Sequence, residues 1–356
     1  MTFSLSPRER IARMRSDLRT GLPVVIVGDR ITLVMASELM TDVRFAALKA
    51  AGPMSLSLTK WRADGLGIAA YDGDLTRLRL PSDADPRWVR GMADPQLDFS
   101  VPMKGPFTAL RDGNPLPASI GLRLCKQAHL LPSVVSVDVE DIPADLTAMT
   151  VADLLLELDR APDFSAVSAA RVPLGVSRDS RVHVFRPDDG AEEHYAIEIG
   201  SPNRDDPVLT RLHSACFTGD VIGSLKCDCG PQLRHALQTM GENGSGVLLY
   251  LNQEGRGIGL ANKLRAYALQ DLGFDTVEAN HRLGFEDDER NFRIGADILK
   301  QLGFGAVRLM TNNPTKVDRL NACGIEVVER VPLKVGQTQD NTAYLATKAA
   351  KSGHLL

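Results

Sequence analysis

Cys216, Cys227 and Cys229 constrain this chain more than any other feature. Three of its five cysteines fall within fourteen residues, spaced Cys-x10-Cys-x-Cys. Three soft ligands on two short segments suit one tetrahedral zinc with its fourth position open, the catalytic arrangement; a structural zinc site is closed by a fourth Cys or His. Two other readings compete. The thiols could be small buried apolar residues, although burial alone does not call for three so close together. His213, three residues before Cys216, could close a structural zinc knuckle. The motifs that follow in the chain favour catalysis. Cys227 and Cys229, two apart with Gly230 behind them, are expected in a tight loop or at a strand end rather than in a helix.

At 356 residues the chain is expected to form two domains. Its apolar content of 44% and charged content of 24% are those of a soluble globular protein. A net charge of −4 points to neither nucleic acid nor a membrane surface as partner. No apolar run approaches the roughly 20 residues of a membrane span, and the opening Met1 to Arg10 lacks the apolar core of a signal peptide. With free thiols and no export signal, the expected compartment is the cytoplasm.

The fold class expected is α/β (α+β). Ser6-Pro7-Arg8-Glu9 is a capping box with Pro at the first helical position, and Gly21 ends that helix. Pro23 to Val27 reads as a buried strand, Ile31 to Met35 as a second, and Ser55 to Thr59 as a third. Leu80 to Pro117 reads as long loops with short elements, Ile120 to Leu131 as a helix, Val134 to Val139 as a strand. Pro162 to Ala170, rich in small residues, reads as an interdomain linker. The run from Pro23 through Gly28-Asp29 to Ala36-Ser37-Glu38 resembles the start of 3,4-dihydroxy-2-butanone 4-phosphate synthase. That family carries an acidic cluster just after its first strand, for a divalent metal and a sugar phosphate. Here Gly28-Asp29-Arg30-Ile31-Thr32-Leu33 stands in its place. Residues 1–165 are therefore expected to be a degenerate, non-catalytic domain.

The second half carries more chemistry. Gly246 to Leu251 reads as a buried strand that delivers Asn252-Gln253-Glu254-Gly255-Arg256-Gly257-Ile258-Gly259 at its carboxyl end, a place where ligands bind in α/β sheets. The next helix, from Leu260, is expected to bury Leu264 and Ala268 on one stripe. After a strand at Ala306 to Met310, Thr311-Asn312-Asn313-Pro314-Thr315-Lys316 opens a helix whose free amides would form an anion seat.

Together these motifs resemble GTP cyclohydrolase II, over Arg171 to Leu356. The match rests on His-Ser-x-Cys-x-Thr-Gly-Asp from His213, Cys-Asp-Cys-Gly from Cys227, Gln-Glu-Gly-Arg from Gln253, Lys-x-Arg-Ala-Tyr from Lys263 and Asp-Thr-Val-Glu-Ala-Asn from Asp275. Asp-Glu-Arg from Asp288, Thr-Asn-Asn-Pro-x-Lys from Thr311 and the terminal Gly-His-Leu-Leu complete it. The resemblance implies a mixed sheet with helices in residues 171–356 and hydrolysis of GTP, with carbon 8 leaving as formate and pyrophosphate released. It implies zinc on Cys216, Cys227 and Cys229, lowering the pKa of a bound water. It makes Tyr267, Asp288 and Arg290 catalytic. The resemblance also implies that Arg290 acts at the α-phosphorus, where charge stabilisation suits an arginine better than nucleophilic attack. GTP contacts fall on Arg211, Leu212, His213, Ser214, Ala215, Gln232, Glu254, Gly255, Arg256, Thr276, Thr311 and Lys316. Mg²⁺ would accompany the phosphates, and the family is commonly homodimeric. Two alternatives stay open at this point: a related enzyme opening another nucleotide ring, and a nucleotide-binding regulatory module with a structural zinc.

Overall fold

The computed structural model describes residues 4–339 together with Asn341 and Leu355. Of the terminal Gly-His-Leu-Leu motif, only Leu355 lies among them. The chain forms two compact units, each mixed α/β: Met1–Ala161 with Ala261–Glu289, and Pro162–Leu260 with Arg290–Leu356. Among the described residues no helix is long and apolar enough to cross a membrane.

The first unit is built on strands β1 (Val24–Val27), β2 (Ile31–Ala36), β3 (Met54–Thr59), β4 (Leu75–Arg79), β5 (Thr108–Ala109), β6 (Ser133–Val139) and β7 (Ala148–Thr150). Their order is β5-β4-β3-β6-β2-β1-β7, antiparallel throughout except where β1 meets β7. Alternation along the strands sends side chains to both faces. Val24, Val34 and Val134 pack with the helices Pro7–Arg19 and Leu116–Gln127. Val25, Met35 and Val135 pack on the other side with Phe45, Leu48, Val89 and Met92. The capping box forms as expected: the Glu9 amide donates to Ser6 Oγ at 3.2 Å and the Ser6 amide to Glu9 Oε2 at 2.8 Å.

In this half one expectation holds and another shifts. The long loops with short elements expected over Leu80 to Pro117 include an eight-residue helix, Pro86–Ala93, capped by Asp85 accepting from the Trp88 amide at 2.7 Å. Its Asp and Pro are N-terminal helix signals as much as loop signals. The helix expected at Ile120 to Leu131 runs over Leu116–Gln127, because Pro117 fits its first turn.

The segment Ala261–Glu289 is fastened within this unit. Arg265 reaches Glu38 and Asp94, both at 3.2 Å. Trp61 stacks on His281 with centroids 3.7 Å apart, and Lys126 pairs with Glu289 at 2.6 Å. The helix Leu260–Asp271 buries Asn262, Ala266 and Leu269 and leaves Leu264 49% exposed. The expected stripe through Leu264 is thus displaced: Asn262 turns inward because its side chain donates to the His129 carbonyl at 2.9 Å.

The second unit holds β8 (Phe164–Arg171), β9 (Ser180–Pro187), β10 (His194–Ile199), β11 (Val208–Ser214), β12 (Gly246–Leu251), β13 (Ala306–Met310) and β14 (Glu326–Val331), ordered β14-β13-β11-β12-β10-β9-β8. β11, β12, β13 and β14 run parallel, and β10, β9 and β8 complete the sheet antiparallel. Leu212, Val247 and Leu249 meet Ile294, Ile298 and Leu299 on one face. Leu209 and Leu248 meet Ala236 and Met240 on the other. The stretch read as a linker is β8, paired from Phe164↔Pro187 to Arg171↔Arg181. Its alanines and serines give little strand signal, and only the ladder to β9 makes it one.

Candidate active site

Because β11, β12 and β13 are parallel, their carboxyl ends share one edge of the sheet, the usual location of a ligand in such folds. Each delivers one of the motifs: β11 leads into Cys216, β12 into Asn252 to Gly259, and β13 into Thr311 to Lys316.

After β11 the chain makes a five-residue π-helical turn, Phe217–Val221, and returns at Cys227. The ligand atoms of Cys216, Cys227 and Cys229 lie within 4.8 Å of one another, with the Cys216 and Cys227 sulfurs 3.7 Å apart. Thiolates at about 2.3 Å from a tetrahedral zinc stand about 3.8 Å from each other, whereas a disulfide needs about 2.05 Å. The triad therefore fits a metal. Gly219 makes it possible: a Cβ there would lie 2.8 Å from the Cys227 sulfur and 3.1 Å from that of Cys216. Its amide donates to the Cys216 sulfur at 3.3 Å. A Cβ on Gly230 would meet the Gly219 carbonyl oxygen at 2.1 Å, so both glycines are required by close approach. Cys227 sits in a loop, as expected, but Cys229 opens the helix Cys229–Glu242. A helix N-terminus suits a thiolate through its positive dipole end, a tertiary advantage that Cys-x-Cys-Gly does not display.

His213 lies outside the thiol group. Among the described residues the metal group is the three cysteines alone, and His213 Nε2 faces the Asp220 carboxylate at 3.0 and 3.1 Å. Asp220 also accepts from the Cys216 amide at 3.0 Å and from the Tyr250 hydroxyl at 3.0 Å. Burial holds His213 below the ordinary histidine range. Burial, then the Asp220 charge, pushes the Tyr250 phenol up. The sequence marks Asp220 only by its place in the motif, and Tyr250 reads as one more apolar strand residue.

Arg211 is buried beneath this loop. It donates to the Met310 carbonyl at 2.9 Å and to Gln232 Oε1 at 2.5 Å, and Gln232 donates onward to Asp228 at 2.7 Å. Burial lowers its guanidinium to about 10, against the pull of Asp228. Among the described residues its Nε has no hydrogen-bond partner. Leu212 lies in the core, and its carbonyl accepts from Lys316 Nζ at 3.1 Å. Ser214 Oγ accepts from Arg290 at 3.2 Å, and the Ala215 amide donates to the Leu251 carbonyl at 2.8 Å. Glu254 accepts from the Phe217 amide at 2.6 Å and from the Gly255 amide at 2.9 Å, tying the turn after β12 to the residue beside Cys216. That turn needs left-handed backbone at Gly255 (φ 63°) and at Arg256 (φ 61°); only the first is free of steric cost.

The anion seat expected from free amides at Thr311 to Lys316 is occupied by the loop itself. The Asn313 amide donates to Thr311 Oγ1 at 3.0 Å, the Thr315 amide to Asn313 Oδ1 at 3.0 Å, and the Lys316 amide to the Asn313 carbonyl at 3.2 Å. Cationic side chains gather nearby instead. Arg290, Lys316 and Arg319 lie 4.9, 5.7 and 4.7 Å from the ring centroid of Phe292. The sequence does not single out Arg319 or Phe292, because their meeting needs two helices folded onto one sheet.

Tyr267, Thr276 and Asp288 belong to the first unit. Lys263 lies 5.7 Å from the Tyr267 ring. Thr276 opens the helix Thr276–Arg282 and accepts from Gln270 Nε2 at 3.2 Å. Asp288 stands between Asp287, paired with His281 at 2.7 Å, and Glu289.

Residues 165–332 match the family model described as GTP cyclohydrolase II. A GTP cyclohydrolase-2 from Azospirillum brasilense is 45% identical over 367 residues, covering 99% of this chain and 92% of its own. One from Actinobacillus succinogenes is 58% identical over 168 residues, 47% of this chain and 77% of its own. A solved structure of a two-domain 3,4-dihydroxy-2-butanone 4-phosphate synthase from A. baumannii aligns over 90% of this chain and 99% of that one, at 16% identity. Its TM-score is 0.31.

Proposed function

The chain belongs to the GTP cyclohydrolase II family, and on that premise we propose that it hydrolyses GTP to 2,5-diamino-6-ribosylamino-4(3H)-pyrimidinone 5′-phosphate, formate and pyrophosphate, the first step of riboflavin synthesis. The observation that carries this reading is the thiol triad, its three ligand atoms within 4.8 Å of one another, at the carboxyl end of β11.

Cys216, Cys227 and Cys229 would hold one zinc per chain. When bound, zinc supplies a Lewis acid that makes water nucleophilic near neutral pH. The chain's own residues do the rest. The Gly219 amide and Asp220 set the position of Cys216. Glu254 offers guanine a carboxylate as acceptor for its ring and amino N–H groups. Arg290, Lys316 and Arg256 meet the phosphates, with Arg290 stabilising charge at the α-phosphorus. The resemblance further assigns Tyr267 to ring opening, Asp288 to partnering Arg290, and contacts to Thr276 and Thr311. Mg²⁺ with the phosphates, a homodimer and a cytoplasmic location belong to the same proposal.

As a sequence unit the cyclohydrolase is 171–356, although 261–289 packs in the first compact unit. Residues 1–165 are proposed as non-catalytic, because Gly28 to Glu38 lacks an acidic cluster; metal-dependent consumption of ribulose 5-phosphate by the full chain would overturn that.

The deciding experiment is incubation of the purified chain with GTP and, separately, ATP. Formate and pyrophosphate from GTP alone are expected. Release from ATP at a similar rate would favour an enzyme of another nucleotide ring, and release from neither would leave a binding module.

A further inference from the structure

We infer that Arg319 is a substrate-binding residue that grips the outer, β- and γ-phosphates of the nucleotide; this rests on the reading of the site as a GTP site. Three cations stand round one ring. Arg319, Arg290 and Lys316 lie 4.7, 4.9 and 5.7 Å from the centroid of Phe292, within the reach of a cation–π contact. Phe292 itself is 7% exposed. Like charges gathered round one ring repel one another, and the ring's quadrupole offsets that only in part. A ligand with several negative charges at this place removes the repulsion.

The three cations differ in how they are held. Arg290 is bonded to Ser214 Oγ and Lys316 to the Leu212 carbonyl, both on the last residues of β11, just ahead of Cys216. They mark the inner end of the anion site, next to the thiol triad. Arg319 is three residues beyond Lys316 on the helix Pro314–Ala322, on the same side of it. It is one helical turn farther from the strand ends, about 4.5 Å along the axis. It is exposed, and among the described residues its guanidinium has no hydrogen-bond or ion-pair partner. A long, planar, unengaged fork beyond two anchored cations suits bidentate binding of a terminal phosphate.

The test uses the full chain and Arg319→Ala. Calorimetric titration with inorganic tripolyphosphate should show binding weakened about tenfold, the worth of one charge-assisted contact. KM for GTP should rise by a similar factor with kcat within twofold, while competitive inhibition by GMP, which lacks the outer phosphates, stays unchanged. Arg319→Lys should recover part of the loss, since it keeps the charge but not the fork. Tripolyphosphate binding within twofold of the parent would overturn the inference, as would GMP weakened as much as GTP, or kcat falling with KM unchanged. The titration needs no turnover. A parent that releases no formate from GTP would therefore sink the function alone, and an unaltered titration would sink the role of Arg319 alone. Arg319 is exposed, so the unfolding midpoints of parent and variant should agree.

Discussion

The Asp220 carboxylate accepts the Cys216 backbone amide at 3.0 Å, and so fixes the residue that begins the thiol triad. The same carboxylate faces His213 and takes the Tyr250 hydroxyl, with a side chain only 3% exposed. Removing it leaves a hydroxyl and an amide unsatisfied beside the metal site. Asp220→Ala should weaken zinc binding or formate release by about 10–100-fold, the range for residues that orient metal ligands. Zinc affinity measured against a competing chelator, together with formate release, reads this. Parent-like values in both would show that the Cys216 loop holds itself.

Cys227 is buried, with its sulfur 3.7 Å from that of Cys216. Cys227→Ser should lose the metal and the formate release together, because a hydroxyl is a poor replacement for a soft thiolate ligand. Metal content by elemental analysis and formate by assay are both needed. Undiminished formate release by zinc-free Cys227→Ser protein would remove the triad from the chemistry.

Arg290 is held on Ser214 and lies over Phe292. Arg290→Ala should therefore keep its zinc while pyrophosphate release falls by on the order of 10³-fold, as for an arginine that stabilises a phosphoryl transition state. Steady-state pyrophosphate release within a few-fold of the parent would place Arg290 outside the site.

His194 connects the site to pH. It is 4% exposed, and its Nδ1 accepts the Asn252 amide at 3.0 Å at the start of the turn that carries Glu254. Burial lowers its pKa from 6.5 to about 4. The unfolded chain takes up this proton near pH 6.5 and the folded chain only near 4, so the unfolded state binds more protons between those values. Stability from this group is full above about pH 6.5 and is lost as pH falls toward 4, by at most on the order of 3 kcal/mol. Gln can accept the same amide without titrating. Urea unfolding at pH 7 and pH 4 should therefore show a larger loss for the parent than for His194→Gln. Equal losses would rule out His194 as the source.

What the sequence by itself determined lies where the signal is local. The strands Gly246–Leu251 and Ala306–Met310 are legible to the residue, as is the Ser6–Glu9 cap. Their periodicity and capping chemistry are complete within a dozen residues. The triad was legible for the same reason: fourteen residues contain all three thiols. What only the tertiary structure decided depends on partners far along the chain. Phe164–Arg171 is a strand because β9 supplies its ladder. Arg211 is an internal tie because Gln232 and the Met310 carbonyl, 99 residues away, surround it. Glu254 meets the Phe217 amide across 37 residues. The amides of Asn313, Thr315 and Lys316 look free in sequence and are consumed within the loop once it turns. Arg290, Lys316 and Arg319 are dispersed in sequence and converge on Phe292 only when two helices pack beside β11. A residue's type states which bonds it can make; which of them it does make depends on what the fold brings within about 3 Å, and pattern along the chain carries no record of that.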